Sequence, residues 1–111
     1  MIDRTRDKVP SELLDPVVDY FRPRQVILFG SGARGDAGPD SDIDLLVVLD
    51  DDAPNEMLTL AAGFEARRSC RSGADVIPCR ASVFASKAPI PGTLAFKAAT
   101  EGIVVYQRPG E

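Results

Sequence analysis

Gly30-Ser31 is followed after ten residues by Asp42-Ile43-Asp44, and these lead without a break into the apolar run Leu45 to Leu49. Apolar residues at successive positions suit a strand that is covered on both faces, so this segment belongs in the interior of a layered sheet. Side chains two apart on a strand share a face. Asp42 and Asp44 therefore set two carboxylates side by side where the buried strand begins. Two like charges ~4 Å apart repel by roughly 4 kcal/mol at an effective dielectric of ~20. A divalent cation turns that penalty into a binding site, and the pattern implies metal-assisted chemistry on phosphate.

The bulk properties limit the alternatives. A chain of 111 residues is the size of a single domain, 1–111, able to bury one core. Its formal charge of −4 and pI near 4.8 argue against a general duplex-binding role, which needs a basic face to displace counterions. A nucleotide carried by a metal is compatible with that charge. Residues 1–9 read as a charged, poorly ordered lead-in without the apolar centre of a signal peptide. No apolar run approaches the ~18 residues of a membrane helix, so no membrane association is expected and the cytoplasm is the expected compartment. Cys70 and Cys79 are the only cysteines and histidine is absent, which excludes a zinc site of the usual ligand set and leaves two ordinary reduced thiols.

Hydrophobic spacing gives the expected element order. Leu13, Leu14, Val17, Val18 and Phe21 predict a helix that starts at Pro10-Ser11 or at Asp15-Pro16 and ends near Pro23. Gln25 to Phe29 reads as the first strand and Asp42 to Leu49 as the second. A helix is expected from about Pro54, capped by Asp50 to Asp52, to Cys70, with Met57, Leu58, Ala61, Phe64 and Ala66 along one side. Ala74 to Ile77 reads as a third strand ending at Pro78. One helical turn at Ser82 to Lys87, a helix from Pro91-Gly92 to Ala99, and a last strand Ile103 to Tyr106 complete an α/β (α+β) order around a small mixed sheet packed by helices.

Gly30-Ser31-Gly32-Ala33-Arg34-Gly35-Asp36 followed by Ser41-Asp42-Ile43-Asp44-Leu45 resembles the signature of the minimal nucleotidyltransferases of the DNA polymerase beta superfamily. Their pattern is Gly-Ser, ten residues, Asp-x-Asp, and this sequence matches it without a gap. The resemblance implies a polymerase beta palm-like fold and a magnesium-dependent transfer of a nucleoside monophosphate from ATP or another nucleoside triphosphate to a hydroxyl. Phosphoryl transfer needs charge neutralisation and in-line geometry, for which one or two Mg²⁺ ions are the usual device.

Asp42 and Asp44 are the expected metal ligands. By resemblance Asp75, an acid one residue into an apolar strand, shares a metal and helps deprotonate the attacking hydroxyl. Ser31 and the amides of Gly30 and Gly32 can cradle phosphate, since glycines let the backbone approach and successive N–H groups form an anion nest. Arg34 either contacts phosphate or pairs with Asp36, Asp40 or the aspartate cluster. Asp36, Asp40 and Asp50 to Asp52 read as caps and solvated loop charges. The resemblance further implies an antitoxin role, with a tyrosine of a small helical HEPN-type toxin as acceptor. A non-catalytic antitoxin-like binding module and a small-molecule enzyme of the antibiotic-modifying kind, its pocket completed by a homo-oligomer, are the alternatives.

Overall fold

A computed structural model of the chain describes residues 9, 11–29, 43–66 and 74–109. Helix α1 spans Ser11–Phe21, followed by strands β1 (Gln25–Phe29) and β2 (Ile43–Leu49). A 3-10 turn at Asn55–Leu58 leads into α2 (Leu60–Ala66), β3 (Ala74–Arg80), α3 (Ala81–Lys87), α4 (Leu94–Glu101) and β4 (Ile103–Gln107). The strands form one mixed sheet in the order β3-β2-β1-β4. β1 pairs antiparallel with both β2 and β4, and β2 pairs parallel with β3. The interior place expected for the Leu45 to Leu49 run is the one observed.

Alternation along β2 divides the core into two layers. Leu45, Val47 and Leu49 pack with Leu13, Leu14, Val17 and Phe21 of α1 and with Ala62 and Ala66 of α2. Leu46 and Val48 face the opposite way, joining Ile27, Phe29 and Ala98, with Ile77 and Phe84 at the margin. Helices therefore cover both faces of the sheet, as an interior strand apolar on both sides requires.

Of the two possible starts of α1, the earlier is used, and Pro16 lies inside the helix. An interior proline forfeits one backbone bond and costs up to about 3 kcal/mol. Starting at Ser11 offsets this by burying Leu13 and Leu14 almost completely, at roughly 2 kcal/mol for each side chain. Val9, assigned to a disordered lead-in on charge alone, is also buried in this layer. Residues 1–8 lie outside the described residues.

The helix expected from Pro54 to Cys70 is broken. Thr59 has an extended backbone (φ −98°, ψ 159°), and its Oγ1 accepts the Ala62 amide at 3.0 Å, so it caps α2 in place of the aspartates. The break resets the helical phase. Ala62 and Ala66 turn inward while Ala61 and Phe64 face solvent, Phe64 being 58% exposed. Gly63 lies against the Val76 carbonyl of β3, where an added Cβ would collide with that oxygen.

β3 continues through Pro78 to Arg80 instead of ending at the proline. Its only pairing among the described residues is with β2, and an edge strand tolerates a missing N–H on its outer side. Residues 81–87 form a full helix, and α4 begins at Leu94 after its cap Thr93, whose Oγ1 accepts the Phe96 amide at 3.1 Å.

Candidate active site

Asp44 lies near the start of β2 on the face that Leu46 and Val48 continue, while Ile43 and Leu45 turn toward α1. Asp75 occupies the equivalent place on β3, on the face of Ile77 and Cys79. The parallel register makes these two aspartates direct partners across the strands. Neighbouring strands run ~4.8 Å apart, so two carboxylates stand side by side at one end of the sheet. The antiparallel partner of Asp44 on its other side is Phe29, which is buried.

Burial differs between the two acids: Asp44 is half-buried and Asp75 exposed. One carboxylate is thus rooted at the margin of an apolar layer, and the other opens to solvent beside it. The pair offers oxygen donors only, the donor type preferred by Mg²⁺, Ca²⁺ and Mn²⁺ over softer metals. It fits a hard divalent cation completed by water and phosphate oxygens.

Asp42, the third acid of the predicted trio, lies outside the described residues, as do Gly30, Ser31, Gly32 and Arg34. The register therefore joins Asp44 and Asp75, and the phosphate-binding segment of the prediction is not among the residues the structure describes. Among the described residues no three acidic, cysteine or histidine side chains cluster as a metal site.

At the opposite end of β2 an acid has a different environment. Asp50 was expected to be a cap or a solvated charge, yet Arg108 donates to both its oxygens, at 3.1 and 3.0 Å. Arg24 adds its Nε at 3.8 Å. The Arg108 hydrogen bonds, aided by the charges of Arg108 and Arg24, hold the Asp50 carboxyl below its ordinary range against an opposing effect of burial that is larger than either charge effect. Its neighbour Asp51 caps α3, accepting the Ser82 amide at 2.8 Å. No local sequence signal links Asp50 to an arginine 58 positions later.

Cys79 shares the face of Asp75 but is half-buried, and burial pushes its thiol up against a weaker opposing pull from Lys87. A thiol so placed stays protonated at neutral pH, as expected of an ordinary reduced residue. Cys70 lies outside the described residues. No helix among the described residues is long and apolar enough to cross a membrane.

Comparison with known proteins adds to this geometry. The nucleotidyltransferase domain family profile matches residues 10–78, which include α1, β1, β2, most of β3 and both aspartates of the register pair. The fold is similar to a crystal structure from Sulfolobus solfataricus provisionally described as a nucleotidyltransferase. That likeness has a TM-score of 0.57 at 22% identity and covers 95% of this chain and 82% of the other. It is also similar to a chain in a crystal structure of a toxin-antitoxin with AMP-PNP, with a TM-score of 0.59 at 17% identity, covering 91% of this chain and 76% of the other. Among curated proteins none matches the sequence. At these identities the two structures bear on the fold alone.

Proposed function

This chain belongs to the nucleotidyltransferase domain family, and from that premise we propose that it transfers AMP from ATP to a hydroxyl on a partner protein. The observation that carries the reading is the register pair, Asp44 beside Asp75 at one end of the sheet, within the stretch the family profile matches. In this reading Asp42, Asp44 and Asp75 hold Mg²⁺, and Gly30, Ser31, Gly32 and Arg34 receive the phosphates. Bound magnesium supplies charge neutralisation on the polyphosphate and fixes its orientation.

The remaining work falls to the chain itself. The acceptor oxygen forms a bond to the α-phosphorus, the bond to the bridging oxygen breaks, and pyrophosphate departs. Asp75, the exposed acid of the pair, takes the proton of the acceptor hydroxyl. Asp44, half-buried against the apolar layer, keeps a fixed position as ligand. Fixing one donor while leaving the other accessible suits a site that must hold a cation and admit a large acceptor.

The acceptor in this reading is a tyrosine of a small helical HEPN-type protein, with the chain acting as its antitoxin in the cytoplasm. A chain of similar fold occurs in a toxin-antitoxin assembly with AMP-PNP, which is in keeping with a toxin as partner and an adenine nucleotide as donor. The test is incubation of the purified chain with α-labelled ATP, magnesium and the helical protein encoded beside it. Label is expected on a partner tyrosine, with pyrophosphate released in equal amount. Label transfer that persists in Asp44→Asn would overturn the assignment of roles.

A further inference from the structure

The larger of two described clefts, about 640 Å³, does not adjoin Asp44 and Asp75. It lies at the far end of β2, six residues along the strand from Asp44, or ~20 Å away. Its volume falls within the roughly 300–1,000 Å³ typical of ligand sites. The walls come from the end of α1, the end of β2, the segment leading to the 3-10 turn, and β4 with the residue after it. Phe21, Met57 and Tyr106 give it an apolar and aromatic lining.

The polar groups of the cleft sort by charge. Asp50 and Arg108 neutralise each other through two hydrogen bonds, and Arg108 is further held by donating to the Arg22 carbonyl at 2.6 Å. Three charged side chains remain on the lining: Asp19, Asp52 and Arg22. None of the three has a side-chain hydrogen bond or ion pair among the described residues. On the lining itself these two carboxylates stand against one guanidinium beside an apolar floor, with Arg24 outside the lining, 3.8 Å from Asp50. Arg22 is also the only described non-glycine residue with a left-handed backbone, at φ 47°. It closes α1 by donating its amide to the Val18 carbonyl at 2.8 Å, a place where glycine is less strained.

We propose that this cleft is a second binding site, separate from the carboxylate pair, for an ammonium or guanidinium group carried on an apolar or aromatic body. The apolar part rests on Met57, Phe21 and Tyr106, and the cationic head meets Asp19 and Asp52. Such a ligand could be a free amine or the side chain of a basic, apolar peptide segment, and the two share this chemistry. The inference does not depend on the transfer reaction, because it concerns neither metal nor nucleotide.

The test is an amide NMR titration of the full chain without metal or nucleotide, using phenethylammonium, 3-phenylpropionate and the peptide acetyl-Phe-Arg-amide. Phenethylammonium is expected to give saturable shifts centred on Met57, Asp52 and Tyr106, with 3-phenylpropionate at least about threefold weaker. Asp19→Asn with Asp52→Asn should weaken the cation about three- to tenfold while leaving the melting temperature within a degree or two. Arg22→Gly removes the opposing charge and the backbone strain, and should tighten the cation without lowering stability. Tighter binding by the peptide assigns the ligand to a polypeptide, and tighter binding by the amine assigns it to a metabolite. No saturable shift with either cation, equal binding of the anion, or an unchanged affinity in the double variant would overturn the site.

Discussion

The two ends of β2 each present an aspartate to neighbouring strands, and the chain treats them in opposite ways. At the lower end Asp50 is neutralised internally, by a bidentate Arg108 and by Arg24. At the upper end the cross-strand partner of Asp44 on β3 is another acid, Asp75. Like charges directly opposite on a sheet are destabilising. A fold that supplies arginines to Asp50 has built a structural ion pair there, and in the proposed function the acid pair at the other end of the strand is where the cation binds.

The largest expected difference is in transfer. Asp44→Asn should lower label transfer at least about a hundredfold, the scale for removing one charge-stabilising group from an active site. Asp50→Asn should leave transfer within a few-fold, once the protein is shown to be folded at the assay temperature. Equal losses in the two variants would erase the distinction between the ends of the strand.

Stability sharpens it next. Gly63→Ala forces a methyl group into the Val76 carbonyl of β3 and should cost about 1–3 kcal/mol in urea unfolding. Because Val76 adjoins Asp75, the same substitution should weaken metal binding more than Arg108→Ala does.

At the lower end, Arg108→Ala should cost about 1 kcal/mol, since the Asp50 pair is 30–42% exposed and partly screened by solvent. The pH dependence has a definite sign. Arg108 holds the folded Asp50 carboxyl below its ordinary value, so the unfolded chain takes up a proton first as the pH falls. The contribution of the pair is complete above about pH 4 and is lost as the pH drops through the folded-state value. Asp50→Asn should therefore flatten the acid limb of a stability profile below about pH 4 and leave its shape near neutrality unchanged.

The smallest effect is at Asp75. With metal removed, Asp75→Asn should leave stability unchanged or raise it by a few tenths of a kcal/mol, because it relieves a like-charge pair. A loss of about 1 kcal/mol or more would mean that Asp75 has a structural cationic partner and that the two ends of β2 are alike.

Much of this arrangement was legible in the sequence, and the failures have physical causes. Leu45 to Leu49 identified the interior strand because apolar residues at consecutive positions have no one-sided solution. The sequence offered Asp75 as a candidate but not its register, since a slip of one residue turns it to the other face. The parallel pairing with β2 settles its position opposite Asp44.

The long helix from Pro54 was misread because apolar periodicity does not register an extended residue such as Thr59, which breaks and recaps the segment. Pro78 was taken as a strand end because a sequence does not state which strands lie at an edge. Asp50 was read as a solvated charge because its partner Arg108 is distant in sequence, and such a pairing exists only once β1 and β4 are joined. Asp42 and the Gly30 to Arg34 segment lie outside the described residues, so their predicted roles remain part of the proposal.

The most direct measurement is paramagnetic broadening by Mn²⁺ in amide NMR spectra of the full chain, read at both ends of β2 in one experiment. Sub-stoichiometric Mn²⁺ should broaden the amides of Ile43 to Leu45 and of Asp75 and Val76, spare those of Asp50 and Arg108, and lose its effect in Asp44→Asn. Broadening centred on Asp50, or equal broadening at both ends, would contradict the proposal that the cation binds at the Asp44 and Asp75 end of β2 and not at Asp50.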